Sequence, residues 1–312
     1  LAGGGIGGEA LEARSRRLAA DAVLVSATVV WGSSFVVVKS VVRDSPPLAF
    51  LFWRFLLAAT LVVLFTRGKR VTAALLRDGT AAGLLLAAGM IFQVIGQTET
   101  TASKAAFLTG LSVVLTPFAA YVRTRRLPSP ENGIGITLAS AGFLLLAFPR
   151  GGEAFHRGDL FMAACGVAFA FYIVELGVRT SGHDSLRLAG VQMAVVAVCA
   201  GGLSLLLRVP FLSSLHAAQA EARPVVWEGT FLWSVLYLGT VGSVGTFLAQ
   251  TWAQRRMSAT HAAIIFALEP VVAALLAGYF LGERLGGRGL VGGLLVLAGI
   301  VVSEFRLRVN SS

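Results

Sequence analysis

Residues 93–111 read QVIGQTETTASKAAFLTGL, and residues 250–268 read QTWAQRRMSATHAAIIFAL. Laid over one another at an offset of 157, Gln93 meets Gln250, Gln97 meets Gln254, Ala102 meets Ala259, and Leu111 meets Leu268. Lys104 falls on His261 in the same frame, which continues to Gly135 on Gly292 and Gly142 on Gly299. Upstream the offset is 138: Asp21 meets Asp159, Trp31 meets Phe169, Ser34 meets Tyr172 and Arg54 meets Gln192. The difference of 19 residues matches the long connection from Arg208 to Gly229, which replaces a shorter loop in the first half. Apolar stretches match by chance, so the paired glutamines and the constant frame carry this internal repeat.

The medium follows from composition. Of 312 residues, 56% are apolar and 13% charged, and the apolar runs recur at the ~20 residues that a bilayer-spanning helix needs. The sequence predicts an all-α, polytopic membrane protein of ten spans, near 21–38, 48–66, 79–97, 102–122, 133–149, 160–178, 187–207, 230–254, 260–281 and 289–305. Residues 1–17 read as a disordered cytoplasmic lead, 18–149 as one five-helix repeat, 150–159 as an outer connection, 160–305 as the second repeat and 306–312 as a tail. Five is odd, so the two repeats should cross the membrane in opposite senses around a central cavity, the architecture of alternating access. Thr98 and Glu99 correspond to Arg255 and Arg256, the exchange of charge expected of an inverted pair.

Lys and Arg number 26, of which 16 fall on the side holding both termini, 9 on the other and one, Arg54, well inside a span. Both termini should therefore be cytoplasmic. The basic residues are scattered through loops rather than gathered on a face, which argues against nucleic acid as a partner. Cys165 and Cys199 lie in spans and suggest neither a disulfide framework nor a zinc site.

WGSSF at 31–35, WRF at 53–55, ETTASKAAFLTGL at 99–111 and LEPVVAALLAGYFLGERL at 268–285 resemble the drug/metabolite transporter superfamily, EamA-type. The resemblance covers essentially everything after residue 18, and the Glu-Pro helix followed by Leu-Gly-Glu is its most specific part. It implies a 5+5 inverted bundle in the bacterial inner membrane and solutes that include amino acids, other metabolites and lipophilic cations. Within that group the chain is similar to the YddG-like aromatic amino-acid exporters. The first half has RTRRL at 123–127 where the second has LGERL, so that acidic feature occurs once.

Candidate site residues come from polar groups in lipid-length spans. Glu269 is a carboxyl deep in the ninth span, followed by Pro270; it is either a packed structural acid or a partner for a proton or a substrate amine. Trp31, beside Gly32, Ser33 and Ser34, lies near the midplane and suits a cavity wall as well as helix packing, and Tyr172 has the same two readings. Gln93 with Gln97, and Gln250 with Gln254, share helix faces and serve either as interhelical glue or as pore lining. Arg54, Lys104, Gln192 and His261 are expected near the mouths, where ordinary snorkelling competes with a substrate-holding or gating role. Gly32, Pro117 and Pro270 are candidate helix breaks.

A primary pump would need a phosphate-binding GxxxxGK[ST] loop, and none occurs, so no ATPase subunit and no cofactor are expected. No HExxH, GxSxG or paired carboxylates at helical spacing support an intramembrane enzyme, and a scaffold has no need of an inverted repeat. The expected function is secondary transport of small metabolites, with few fixed charges to favour phosphorylated cargo.

Overall fold

The computed structural model describes residues 5–67, 70–125, 130–147, 157–214, 216–282, 287, 291–295, 297–299 and 302. Every regular element among the described residues is helical. In chain order these are α1 (Gly5–Val42), α2 (Pro47–Phe65), α3 (Ala73–Glu99), α4 (Ala102–Thr109), α5 (Leu111–Thr124), α6 (Pro130–Ala147) and α7 (Arg157–Arg179). They continue with α8 (Ser185–Leu207), α9 (His216–Glu221), α10 (Gly229–Gly239), α11 (Thr246–Gln254), α12 (Ala259–Phe266) and α13 (Leu268–Leu281). A π-helical turn, Thr240–Gly245, joins α10 to α11 without a break. Eight stretches among the described residues are long and apolar enough to cross a membrane, α4–α5, α10–α11 and α12–α13 each counting as one. A shorter apolar stretch, Gly133–Gly142, lies in α6. The tenth expected span, 289–305, is described only in part, at 291–295, 297–299 and 302, where it is helical.

Local chemistry explains where the helices start. Thr72 and Asp184 accept the backbone N–H groups of Leu75 and Arg187 through their side chains, and α2 opens on a proline at its first position. Thr101 caps α4 by accepting the Lys104 N–H, and Ser258 caps α12 by accepting the His261 N–H. These caps are one repeat offset apart. The same offset relates the two interruptions: Gly110 (φ −59, ψ −13) separates α4 from α5, and Ala267 (φ −59, ψ −16) separates α12 from α13. In the second half Pro270 has no N–H to offer the Phe266 carbonyl four residues back. In the first half the Val113 N–H turns to the Gly110 carbonyl three residues back. Both long helices then end on a left-handed residue, Arg125 (φ 56) and Gly282 (φ 70).

Three expectations need correction. Gly32 is not a helix break, because α1 runs through it unbroken. It is a point of close approach: a Cβ there would stand 2.7 Å from the Val272 side chain and 3.1 Å from the Glu269 carbonyl oxygen. Pro117 lies inside α5, and the interruption falls at Gly110 instead. Residues 5–17, expected as part of a lead, continue α1.

The helices pack in corresponding pairs. Helix α3 lies against α7, and α11 lies against α1; α5 packs on α7, and α13 on α1; α2 packs on α8. Small residues permit the closest crossings. Gly96 and Gly158 bring the α3 and α7 backbones together, a Cβ on Gly158 standing 2.6 Å from the Gly96 carbonyl oxygen. Such glycine contacts replace the hydrophobic drive that lipid cannot supply between helices. Large apolar side chains including Phe65, Val198, Leu205, Trp233 and Phe280 point outward, as a lipid-facing surface requires.

The long connection after α8 is anchored by Glu221 of α9. Its fully buried carboxylate accepts the Leu48 N–H (2.8 Å) and the Ala49 N–H (3.0 Å) at the start of α2, together with the Ser204 hydroxyl. Arg223 donates to the Val42 and Arg43 carbonyls at the end of α1. At the opposite ends of the helices, Arg179 bridges Glu175 and Asp78, Arg123 pairs with Glu175, and His183 meets Asp78 at 2.9 Å.

Candidate functional site

A cavity lies where α1, α2, α3, α7, α11 and the two interrupted helices converge. Its polar wall is Ser34, Gln93, Thr109, Ser112 and Gln250; its aromatic wall is Trp31, Phe169, Tyr172, Phe247 and Phe266; its charged residues are Arg54 and Glu269. Met90 and Ile173 complete it. The repeat relates almost all of these residues to one another. Trp31 and Phe169, Ser34 and Tyr172, Met90 and Phe247, Gln93 and Gln250, Thr109 and Phe266, and Ser112 and Glu269 are equivalent positions, and only Arg54 and Ile173 stand without an equivalent in the wall.

The aromatic wall is built across the halves. The Trp31 ring from α1 lies 5.3 Å from that of Phe247 and 5.5 Å from that of Phe266, centroid to centroid, in tilted contacts. Its indole N–H is buried with no hydrogen-bond partner among the described residues. Buried indole N–H groups usually find an acceptor, so this donor is open to a guest molecule or water. Space for the centres of water molecules amounts to about 50 Å³, enough for a few waters. Admitting a larger solute requires side chains such as Trp31 to move.

Arg54 is placed differently from its expected position at a mouth. It is 1% exposed, its Nε–H donates to the Ser243 hydroxyl at 2.9 Å and its Nη2–H to the Gly242 carbonyl at 3.1 Å. Both acceptors belong to the π-helical turn, whose altered backbone spacing presents groups that a regular helix would conceal. Glu269 is the second residue of α13, because the break at Ala267 starts a new helix there. A helix N-terminus favours a negative charge within its first turn. Among the described residues neither Arg54 nor Glu269 has an opposite charge within ion-pair distance.

Of the other sequence-predicted residues, Gln192 sits behind the wall, accepting the Tyr172 hydroxyl at 2.8 Å, with Gln250 Oε1 at 3.4 Å from the same oxygen. Gln97 and Gln254 are buried away from the cavity; the Gln254 side-chain amide donates to the Ile173 backbone carbonyl at 3.1 Å, and the Gln97 backbone carbonyl accepts Lys39 at 2.8 Å. Ser33 contacts the Tyr237 hydroxyl at 2.9 Å. Met90, Thr109, Ser112, Phe169, Ile173, Phe247 and Phe266 were missed by sequence reasoning. Part of their signal was present: Met90 and Phe247 each precede a repeated glutamine by three residues and share its helix face, and Ser112 is the counterpart of Glu269.

Lys104 and His261 are also repeat counterparts, and each meets an aspartate in the other half. Lys104 Nζ lies 2.7 Å from Asp159, which also accepts the Thr100 hydroxyl at 2.9 Å. His261 Nε2 lies 2.9 Å from Asp21. Among the described residues no cluster of His, Cys, Asp and Glu could hold a metal ion.

The EamA-like transporter family matches the chain twice, over residues 18–148 and 156–305. A transporter of Archaeoglobus fulgidus is 28% identical over 295 residues, covering 94% of this chain and 88% of that one. A probable amino-acid metabolite efflux pump of Salmonella typhimurium is 28% identical over 291 residues, covering 90% and 93%. A solved crystal structure with a TM-score of 0.70 and 18% identity covers 93% of this chain and 99% of its own, a likeness of fold. With a membrane-length helical architecture and a family match over both of its halves, this chain is a multi-pass membrane protein that belongs to the EamA-like transporter family.

Proposed function

We propose that the protein is a secondary, alternating-access transporter that exports amino acids, including hydrophobic and aromatic ones, across the bacterial inner membrane with both termini in the cytoplasm. The observation that carries this reading is the cavity wall built from six pairs of repeat-equivalent residues. A site made equally from two related halves is what an inverted repeat needs if each half in turn is to close one side. The paired contacts of α3 with α7 and of α11 with α1 support the same two-fold exchange, and a ten-helix 5+5 arrangement accounts for it. Lys104 with Asp159 and His261 with Asp21 are then equivalent closures at opposite mouths.

The cargo reading rests on the wall itself. Five aromatic rings and five uncharged polar side chains surround one cation and one anion, a setting for small amphipathic zwitterions rather than phosphorylated solutes, which would call for clustered Arg and Lys. The similarity to an amino-acid metabolite efflux pump supports that choice, and the YddG-like resemblance of the motifs favours aromatic members. Lipophilic cations suit the aromatic wall and Glu269, but Arg54 opposes them.

The test is exchange in proteoliposomes. Purified protein should swap labelled for unlabelled L-phenylalanine or L-leucine with no nucleotide present. Strict dependence on ATP would end the secondary-carrier reading, and exchange of organic cations but no amino acid would replace the cargo.

A further inference from the structure

We infer that Arg54 and Glu269 are the two poles of the substrate site, Arg54 receiving the carboxylate of an amino acid and Glu269 its ammonium group. This assignment rests on the amino-acid reading above and adds to it the residues that would select for a zwitterion.

Three observations converge on it. The first is electrostatic. A charge held out of water without a partner is destabilising by a large margin, so buried ionic groups are normally paired. Arg54 is 1% exposed, and its two hydrogen bonds go to a neutral hydroxyl and a neutral carbonyl. A guanidinium has five N–H donors, so three remain for a guest. Glu269 lines the same cavity and has no hydrogen bond or ion pair among the described residues. The two opposite charges share one enclosure without bonding to each other. A zwitterion between them would supply both missing counter-charges at once and leave the cavity neutral.

The second observation is the way charge departs from the repeat. Glutamine stands at both members of the Gln93 and Gln250 pair, but Arg54 corresponds to Gln192 and Glu269 to Ser112. Gln192 serves its position as a neutral acceptor for Tyr172, and Ser112 occupies the same second place in α5 that Glu269 occupies in α13. The scaffold therefore accommodates neutral groups at both structural positions. The charges are additions to it, one from each half, and both are found in the cavity wall.

The third is local preorganisation. Ser243 and Gly242 hold Arg54 through one edge of its guanidinium, and a planar fork fixed in this way suits two-point recognition of a carboxylate. Glu269 is positioned by the helix start after Ala267, where the backbone itself favours an anion. The rings of Trp31, Phe247 and Phe266 pack together beside these groups and offer an apolar surface to a side chain.

The experiment is equilibrium binding to the purified full chain in nanodiscs, with three probes of matched shape: L-phenylalanine, phenethylamine and 3-phenylpropanoate. The unaltered protein should bind the zwitterion roughly tenfold or more tightly than either singly charged analogue. Glu269→Gln should weaken phenylalanine by roughly tenfold or more and leave phenylpropanoate within about threefold. Arg54→Gln should do the reverse, sparing phenethylamine. If Arg54→Gln does not fold, Arg54→Lys keeps the charge but loses the fork and should weaken both carboxylate-bearing probes together. An unchanged ranking of the three probes in Glu269→Gln would overturn the assignment, while binding of phenylalanine by that variant would leave the amino-acid reading standing. Failure of the unaltered, folded protein to bind phenylalanine, leucine or threonine would remove both.

Discussion

Lys104 and Asp159, 2.7 Å apart, join the interrupted helix of the first half to the first helix of the second. Moving both by the repeat offsets lands on His261 and Asp21, which join the interrupted helix of the second half to the first helix of the first and lie 2.9 Å apart. Ion pairs that bridge halves at equivalent positions are natural places for two alternative closures.

Separate variants should therefore open the cavity from opposite sides. In a background with Cys165 and Cys199 replaced by Ser, a cysteine at Ser34 reports access to the cavity wall. Asp159→Asn should raise its reaction with an impermeant thiol reagent from the outer face roughly tenfold, and Asp21→Asn from the cytoplasmic face by a similar factor, the response to about 1.4 kcal/mol of bias. Increases from the same face in both variants would contradict the arrangement. Exchanging the charges, Lys104→Asp with Asp159→Lys, should restore part of what either single change loses.

Trp31 packs on Phe247 and Phe266 across the cavity, so its removal enlarges the site rather than merely loosening a core. Trp31→Ala should reduce exchange of aromatic amino acids more than that of threonine in proteoliposomes. Equal losses at normal expression would instead indicate a packing role.

Glu221 satisfies two backbone donors at the start of α2 from inside the protein. Glu221→Ala leaves both buried groups unmatched and should lower stability by about 2 kcal/mol or more, read as a fall in thermal midpoint in detergent. Glu221→Gln retains an acceptor and should lose about half as much. Transport at low temperature should survive both, since Glu221 does not line the cavity.

Gly158 faces the Gly96 backbone closely enough that a Cβ would stand 2.6 Å from its carbonyl oxygen. Backbone cannot swing aside as a side chain can. Gly158→Ala should force α3 and α7 apart and cost about 1–3 kcal/mol, whereas alanine at Gly202, where a Cβ meets nothing within 4 Å, should be tolerated. The two thermal midpoints decide the matter.

The sequence by itself determined the medium, the helices and the repeat. Apolar runs of bilayer length report the burial of backbone polar groups within each segment, a local property that composition records. The offset of 157 placed α12 and α13 on α4 and α5 residue for residue, because caps and helix starts depend on a few neighbours in the chain. Tertiary structure alone decided which polar groups face the cavity. Gln93 and Gln97 share a helix face, yet Gln93 lines the wall and Gln97 does not. Arg54 lay within snorkelling distance of a membrane surface by residue count, but the π-helical turn at Thr240–Gly245 supplied acceptors that hold it inside. Which neighbour meets a side chain depends on how distant helices cross, and that depends on close contacts such as Gly32 on Val272 and Gly96 on Gly158, which no periodicity within one helix encodes.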